Sequence, residues 1–544
     1  MRKKIGGIIT IMFLISLLVV INPVNAQYTD VYVDDDYPVS EDTDGDADFR
    51  TITAALGAVD PGGIVHIAAG TYDTALGEVF SIFILQDLTL EGADATTTII
   101  DAGGAGTAVV IGNNCTVDIR NVTLQNATTL LLVSNPSSFG TISDNIFTGS
   151  TWGIQLTNNL TDFTIDNNLI TNCTDGIYFT RGKATVTHNI LTGNNVNGIN
   201  CSMMGGTGTI DIIDNTITNN VVGIYSVLMM AGSLTVTITG NTISGNTAVG
   251  IHSNFSLATV TTITDNIITG NGFSGVFRAA GIRDENPSNI MRNTITGNWE
   301  GIITERNTTI ANNIIASNNR HGINYFSGPV TILHNTIVGN GSAGTYDGIH
   351  RSNGGSTITN NIIASNTGYG IYVGGPCANN YNDVWGNGVS DYFGVTAGAD
   401  SISEDPLFVG GGDYHILLSS PCVDAGIDAG VYDDIDGDSR PLDDGFDIGA
   451  DEIHPTPQVL ANPIAAFMPV KNYHLRQVNT CLECITENLP EDVSEDVQTL
   501  LDEMQEHINN ANTTGNSIYA NNELLKALKC CEDIQEKLGI TCPL

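Results

Sequence analysis

Three titratable residues, Glu300, His321 and Asp347, each stand immediately before a glycine of a recurring Gly-Ile step. A carboxylic acid, an imidazole and a second carboxylate at equivalent points of a repeat are groups that general acid-base chemistry uses. If the repeats stack as strands, neighbouring members lie about 4.8 Å apart and the two carboxyls about 10 Å apart. That is near the upper edge of the separation an inverting glycosidase sets between its acid and its base. Glu305, Arg306, His350 and Arg351 lie close by in sequence, so acids, histidines and arginines cluster in this stretch of the repeats. Asp347 or Glu300 is then the candidate acid or base. Two features weigh against a site. The insertion from Gly341 to Tyr346 lengthens the loop before Asp347, and solvated turn positions account for the same residues more simply.

The residue two places after each glycine gives a second series: Gln155, Tyr178, Asn200, Tyr225, His252, Phe277, Ile303, Asn324, His350 and Tyr372. On a strand whose Ile points inward, this position points outward. Aromatic faces stack on sugar rings and amides bond hydroxyls, so Tyr178, Tyr225, His252, Phe277, His350 and Tyr372 are candidate contacts for a neutral or weakly charged glycan. Rings at these positions also stabilise a sheet by contact with one another, which is the simpler reading.

Carboxylates concentrate in two short runs. Asp42, Asp44, Asp46 and Asp48 alternate around a glycine, and Asp434, Asp436 and Asp438 do the same. Alternating acids in a tight loop are the arrangement that offers hard oxygens to Ca²⁺, although the distal bidentate Glu of a complete EF-hand loop is missing from both. Calcium is the one cofactor the sequence points to. The whole chain carries a formal charge of −40. Such a field opposes nucleic acid and any unassisted polyanion, which leaves a polysaccharide or cell-surface glycan as the partner the ring series favours.

These side chains are positioned by a repeat. Twelve times, at 121, 145, 168, 189, 215, 241, 266, 293, 313, 335, 361 and 382, an Asn opens a short phrase that usually meets another Asn five residues on. The steps run from 20 to 27 residues, and a period of that length means stacked units. Within them apolar residues alternate with Thr, Ser or Asn, the period of half-buried strands. A unit this short cannot bury its own apolar face, so the units must wind and pair in parallel, coil on coil. The Asn residues suit the corners because Asn tolerates the left-handed region, and stacked amides form ladders. Their role is structural.

Phe49-Arg-Thr-Ile-Thr-Ala-Ala-Leu, then Gly62-Gly-Ile-Val-His-Ile67 and Gly70-Thr-Tyr72, with the Asn repeats and the close Ser420-Pro-Cys-Val-Asp-Ala-Gly426, Asp434-Ile-Asp-Gly-Asp438 and Asp447-Ile-Gly-Ala-Asp-Glu452, resemble the right-handed parallel β-helix, or pectin-lyase-like, superfamily. The resemblance covers residues 31 to 452 and implies an all-β solenoid of about twelve or more coils with a capping helix. The close resembles the end segment of a secreted subgroup. It leaves function open, since lyases, hydrolases, epimerases and adhesins share the coil. The acid cluster and neighbouring base of a pectate lyase find only a poor counterpart, Asp284 and Glu285 with Arg283 or Arg278, which read as contiguous loop residues. Three readings are open: a polysaccharide-binding or adhesive protein, a polysaccharide lyase or glycoside hydrolase, and a structural spacer that displays the C-terminal part of the chain.

The ends add their own expectations. Arg2 to Lys4 followed by an apolar run to Ile21 and Val24-Asn-Ala26 reads as a secretory signal over 1–26, so the protein is expected outside the cell or on its surface. Residues 27–72 form the cap and first coil, 73–452 the helix and its end segment, and 453–458 a linker. Composition changes beyond His454-Pro-Thr-Pro457, and 459–544 reads as a small α-helical domain, for instance a three-helix unit. Its length is marginal for an unassisted core, and export permits disulfides, so Cys481, Cys484, Cys530 and Cys531 are candidate staples with their pairing open. Cys377 and Cys422 flank the last coil and are a candidate disulfide closing it.

Overall fold

The computed structural model describes residues 28–36 and 48–453, apart from 113, 135, 136, 159, 160, 231, 255–258, 352–354, 376 and 443, together with isolated positions beyond 453. One turn shows how the sequence becomes a coil. Gly232–Thr239 runs along the first face, Thr242–Ser244 along the second and Val249–Ser253 along the third. Leu234, Val236, Ile238, Ile243 and Ile251 point inward and are fully buried, while the alternate residues face out. Each fully buried Ile contributes roughly 1.5–3 kcal/mol, and stacking turns gives one continuous apolar column. The strands of the coils pair in parallel with their counterparts one coil away, as Thr237 does with Asp211 and with Thr262; Phe408–Gly410 and Asp413–Ile416 form a separate antiparallel pair. The first face is a single 16-stranded sheet. About 13 turns stack in this way, and among the described residues up to 453 the α-helix is confined to Ile52–Leu56.

The corners are held by two amide ladders. In one, the Oδ1 of Asn168, Asn189, Asn215, Asn241, Asn266 and their successors accepts both the backbone N–H and the Nδ2 of the Asn one coil before, at 2.9–3.1 Å. A parallel ladder runs from Asn194 through Asn220, Asn246 and Asn271 to Asn387. The backbone does not follow the expected division of labour. The left-handed residue is the one before each ladder Asn, such as Asp214, Asp265, Arg292 and Asn360. The Asn itself supplies hydrogen bonds. Asn121 is one place out of frame: it has the left-handed φ of 59°, and Val122 takes the ladder position, donating its N–H to Asn145. The glycine of each Gly-Ile step is demanded by close approach. A Cβ on Gly301 would lie 2.4 Å from the carbonyl oxygen of Gly322.

The helix Ile52–Leu56 caps the N-terminal end as the sequence predicts. Thr51 accepts the Ala54 N–H, and the carboxylate of Glu78 accepts those of Ile52 and Thr53, at 2.7 and 3.0 Å. At the other end the segment up to Ile453 folds back along the coils. Ile416, Cys422 and Ile448 cover Val338, Ile362 and Ala364, and Ala450 covers Ile314 and Ala316. The disulfide expected between Cys377 and Cys422 is not formed. The two belong to different apolar clusters, and the Cys422 thiol donates to Asp383 instead. Residues 1–26, the linker beyond Ile453, Cys481, Cys484 and Cys531 lie outside the described residues. In the tail, positions including Ile485, Val497, Met504, Ala527, Cys530 and Ile534 are helical and buried. Among the described residues no helix is long and apolar enough to cross a membrane.

Candidate functional site

The third face carries the chemistry. Its outward positions pair coil by coil in the order Gln155, Tyr178, Asn200, Tyr225, His252, Arg283, Ile303, Asn324, His350, Tyr372 and Phe393. This is the series read from the sequence with one correction and one addition. Phe277 is not on the ladder, and Arg283 is. Gly275-Val276-Phe277 imitates the repeat, but the chain bulges there and resumes at Gly281-Ile282-Arg283, within the strand Ala280–Asp284. Asp284 and Arg283 are therefore strand residues rather than loop residues. Phe277 stands 79% exposed on the bulge. Arg278 beside it lies over the Phe326 ring at 4.8 Å and ion-pairs with Glu305.

Glu300, His321 and Asp347 do occupy three successive coils. Their carbonyls accept the N–H groups of Gly281, Gly301 and Gly322 in turn, so the insertion before Asp347 leaves it in register. All three are buried, at 3%, 8% and 6% exposure. Glu300 accepts from Arg320 at 2.9 Å and from Asn324 at 2.8 Å. Burial raises its pKa against the pull of those two donors. Asp347 is held from two sides: Oδ1 accepts the Tyr369 N–H at 2.8 Å, and Oδ2 meets Nδ1 of His350 at 2.6 Å. The N–H of Asp347 donates to Nδ1 of His321 at 2.9 Å.

These bonds fix both imidazoles. His321 accepts at Nδ1, so its single proton sits on Nε2, and burial together with the positive charge His350 can carry lowers its pKa to about 3. In its neutral form His350 gives its Nδ1 proton to a carboxylate, which leaves Nε2 as an acceptor. The rings stack at 4.3 Å, and the stack continues through Tyr372 at 4.7 Å to Phe393 at 4.3 Å. Tyr346, on the inserted loop, packs edge-on to His321 and beneath Arg320. Ligating atoms of His321, Asp347 and His350 come within 4.8 Å of one another. The trio nevertheless makes a poor metal site, because a ring that accepts at Nδ1 must lose that bond or its remaining proton to coordinate.

Two further groups lie on the same face, one built from residues the sequence had placed on a loop and one around Asp175 that it did not single out. Glu285 pairs with Arg283 and approaches His252, whose pKa burial and Arg283 lower to about 4. Nearer the N-terminal end, Asp175 accepts from Asn197 at 2.6 Å and Asn200 at 3.0 Å, and Trp152 stacks on Tyr178. The signal lay in the residue before each glycine, since Asp175 and Asn197 precede Gly176 and Gly198 as Glu300 precedes Gly301.

The other expected residues lie elsewhere. Asp42, Asp44 and Asp46 are outside the described residues. Asp48 lines a cavity of about 500 Å³ with Tyr32, His66 and Glu91 at the N-terminal end, away from the third face. Asp434 is fully buried and accepts the N–H groups of Asp436, Asp438 and Glu452 at 2.8–3.0 Å. Asp436 turns to Nε2 of His415 at 2.8 Å. The carboxylates of Asp434 and Asp436 thus serve separate partners. Arg351 is structural, bonding Gly328 and Ser356 and lying over Tyr325.

The fold that this architecture defines is the right-handed parallel β-helix. Residues 204–348 match the family described as right handed beta helix region, and residues 39–233 match a family described as a protein of unknown function, DUF1565. No curated protein matches the sequence. Among solved structures, the chain is similar to the catalytic unit of a thermostable GH87 alpha-1,3-glucanase from Streptomyces thermodiastaticus, with 18% identity, 56% of this chain and 61% of that one covered, and a TM-score of 0.39. It is also similar to pectate lyase Pel9A, with 14% identity, 78% and 96% covered, and a TM-score of 0.35. A mannuronan C-5 epimerase A-module from Azotobacter vinelandii gives 15% identity, 64% and 92% covered, and a TM-score of 0.30.

Proposed function

We propose that this protein binds a polysaccharide along its third face, outside the cell or at its surface. The observation that carries the reading is the continuous register of its outward ladder, which presents the partly exposed rings Tyr178, Tyr225, His252, His350, Tyr372 and Phe393 and the amides Gln155, Asn200 and Asn324 on one face, interrupted at Arg283 and the buried Ile303. At about 4.8 Å per coil the ladder from Gln155 to Phe393 is roughly 48 Å long, enough for a chain of sugars laid along the axis. Rings supply apolar faces and amides supply both donors and acceptors to hydroxyls. Tyr178→Ala combined with Tyr225→Ala should weaken retention on an immobilised polysaccharide at least tenfold while leaving the thermal midpoint near wild type. Unchanged retention would remove the ring platform from the account.

A second reading, turnover of the bound glycan, is favoured by the Asp347–His350 pair. In it His350 Nε2 is the proton acceptor, Asp347 positions it, and buried Glu300 is the proton donor. Glu300→Gln with Asp347→Asn should then abolish new chain ends and leave retention intact. Retention with no new ends from the unmodified protein would leave binding as the whole function.

A further inference from the structure

We infer that the surface around Asn324, His321 and His350 is a subsite for an uncharged sugar unit, recognised through adjacent hydroxyl groups and not through a carboxylate. The inference rests on the polysaccharide-binding reading and gives it a ligand class.

The polar atoms left over at this point decide the matter. Asn324 is 7% exposed and commits its amide nitrogen to Glu300, yet its Oδ1 is buried with no hydrogen-bond partner. A buried acceptor left unpaired is costly, and a ligand O–H would satisfy it. His350 is paired with Asn324 in register, and in the neutral ring Nε2 is an acceptor because Nδ1 serves Asp347. His321 stacks on His350 with the opposite tautomer and so offers a proton at Nε2. No described residue takes up either Nε2. Two acceptors and one donor are thus presented side by side on successive coils. Sugar hydroxyls, each both donor and acceptor, complement that set. A carboxylate, which only accepts, would face two acceptors.

The charges agree. Arg320 is paired with Glu300, Arg283 with Glu285 and Arg278 with Glu305. These arginines are neutralised by their own neighbours, and the carboxyl groups of Asp347 and Asp175 lie on the same face with no described arginine or lysine against them. An acidic sugar would have to break one of these pairs to find a cation. Tyr372, stacked on His350, and Tyr346, packed against His321, supply ring surface at the margins for the apolar side of the sugar.

The test is titration calorimetry of the full protein with a soluble neutral glucan, a galactomannan, polygalacturonate and alginate at one ionic strength. We expect heat from a neutral polymer and none from the two polyuronates. His350→Phe keeps the ring but removes the acceptor, and should weaken binding about five- to tenfold, as loss of one hydrogen bond implies; His350→Gln should recover part of it. Tighter binding of a polyuronate, or wild-type affinity in His350→Phe, would overturn the subsite while leaving the binding reading standing. No heat with any polymer would instead count against that reading itself. Should the variants fold poorly, ¹⁵N spectra of the histidine-labelled wild type still decide. His321 must carry its proton on Nε2 and neutral His350 on Nδ1, and like tautomers would refute the donor-acceptor pair.

Discussion

Replacing Asn266 by Ala tests the amide ladder at its middle. The Asn266 side chain takes part in five hydrogen bonds, accepting from the N–H and Nδ2 of Asn241 at 2.9 and 3.0 Å and donating to Asn293, Ile238 and Thr264 at 2.8–2.9 Å. Not all five losses weigh equally. The Nδ2 of Asn241 keeps Ile212 and Thr239, and the Oδ1 of Asn293 keeps the Asn266 N–H. The backbone N–H of Asn241 keeps nothing. One orphaned buried donor at about 1–3 kcal/mol, plus two weakened carbonyl contacts at about 0.5–1.5 kcal/mol each, gives a loss of roughly 2–6 kcal/mol. Thr235→Ala, on an exposed position of the preceding turn, should cost under about 1 kcal/mol. Urea unfolding followed by far-UV circular dichroism reads both, with the shift in midpoint multiplied by the slope. A cost for Asn266→Ala within about 0.5 kcal/mol of the Thr235→Ala control would refute the ladder as a source of stability.

Other consequences arise from the same contacts. Gly301→Ala drives a Cβ to 2.4 Å from the Gly322 carbonyl, and should cost about 1–3 kcal/mol by forcing the coils apart, read as a lower thermal midpoint. Arg440→Met leaves Glu452 buried without the 2.6 Å bond that now neutralises it; a loss of about 3–5 kcal/mol is expected, seen as protease cleavage within 405–453 while the coils stay intact. The same segment should respond to pH. Burial raises Asp434 and Asp447 to about 7, above their unfolded value, so the folded state holds the extra protons. Their stabilising effect is full below pH 4 and lost as pH rises through 7. The midpoint should fall from pH 5 to pH 8, and Asp434→Asn with Asp447→Asn should flatten the slope. An unaltered slope in that variant would place the pH dependence elsewhere.

Much of this was legible in the sequence because the coil repeats its reasons. An inward Ile, a Gly under the next carbonyl and an Asn at the corner recur at fixed offsets, so strand positions and the Glu300, His321 and Asp347 series could be read off directly. Errors arose where local chemistry mimics or masks the repeat. Asn121 has the right residue type but occupies the left-handed position that other coils give to Asp, Asn, His, Arg, Tyr or Gly, which share only tolerance of that corner. Gly275-Val276-Phe277 has the pattern of the step but lacks the next coil's carbonyl above it: a Cβ on Gly275 would meet nothing within 4 Å. Arg320 and Tyr346 were missed because their partners come from the adjacent coil, across 20 and 25 residues of chain. The Cys377–Cys422 expectation failed for a similar reason: nearness to one coil in sequence does not say which face the returning segment covers.

The central claim is that the third face holds a polysaccharide, and the most direct measurement is retention of the purified protein on a panel of immobilised neutral and acidic polysaccharides, wild type beside Tyr178→Ala with Tyr225→Ala. Retention of the wild type by at least one neutral polymer, with loss of at least tenfold in the double variant at unchanged thermal midpoint, is the predicted result. Passage of the wild type through every column, or equal retention of both proteins, would contradict it.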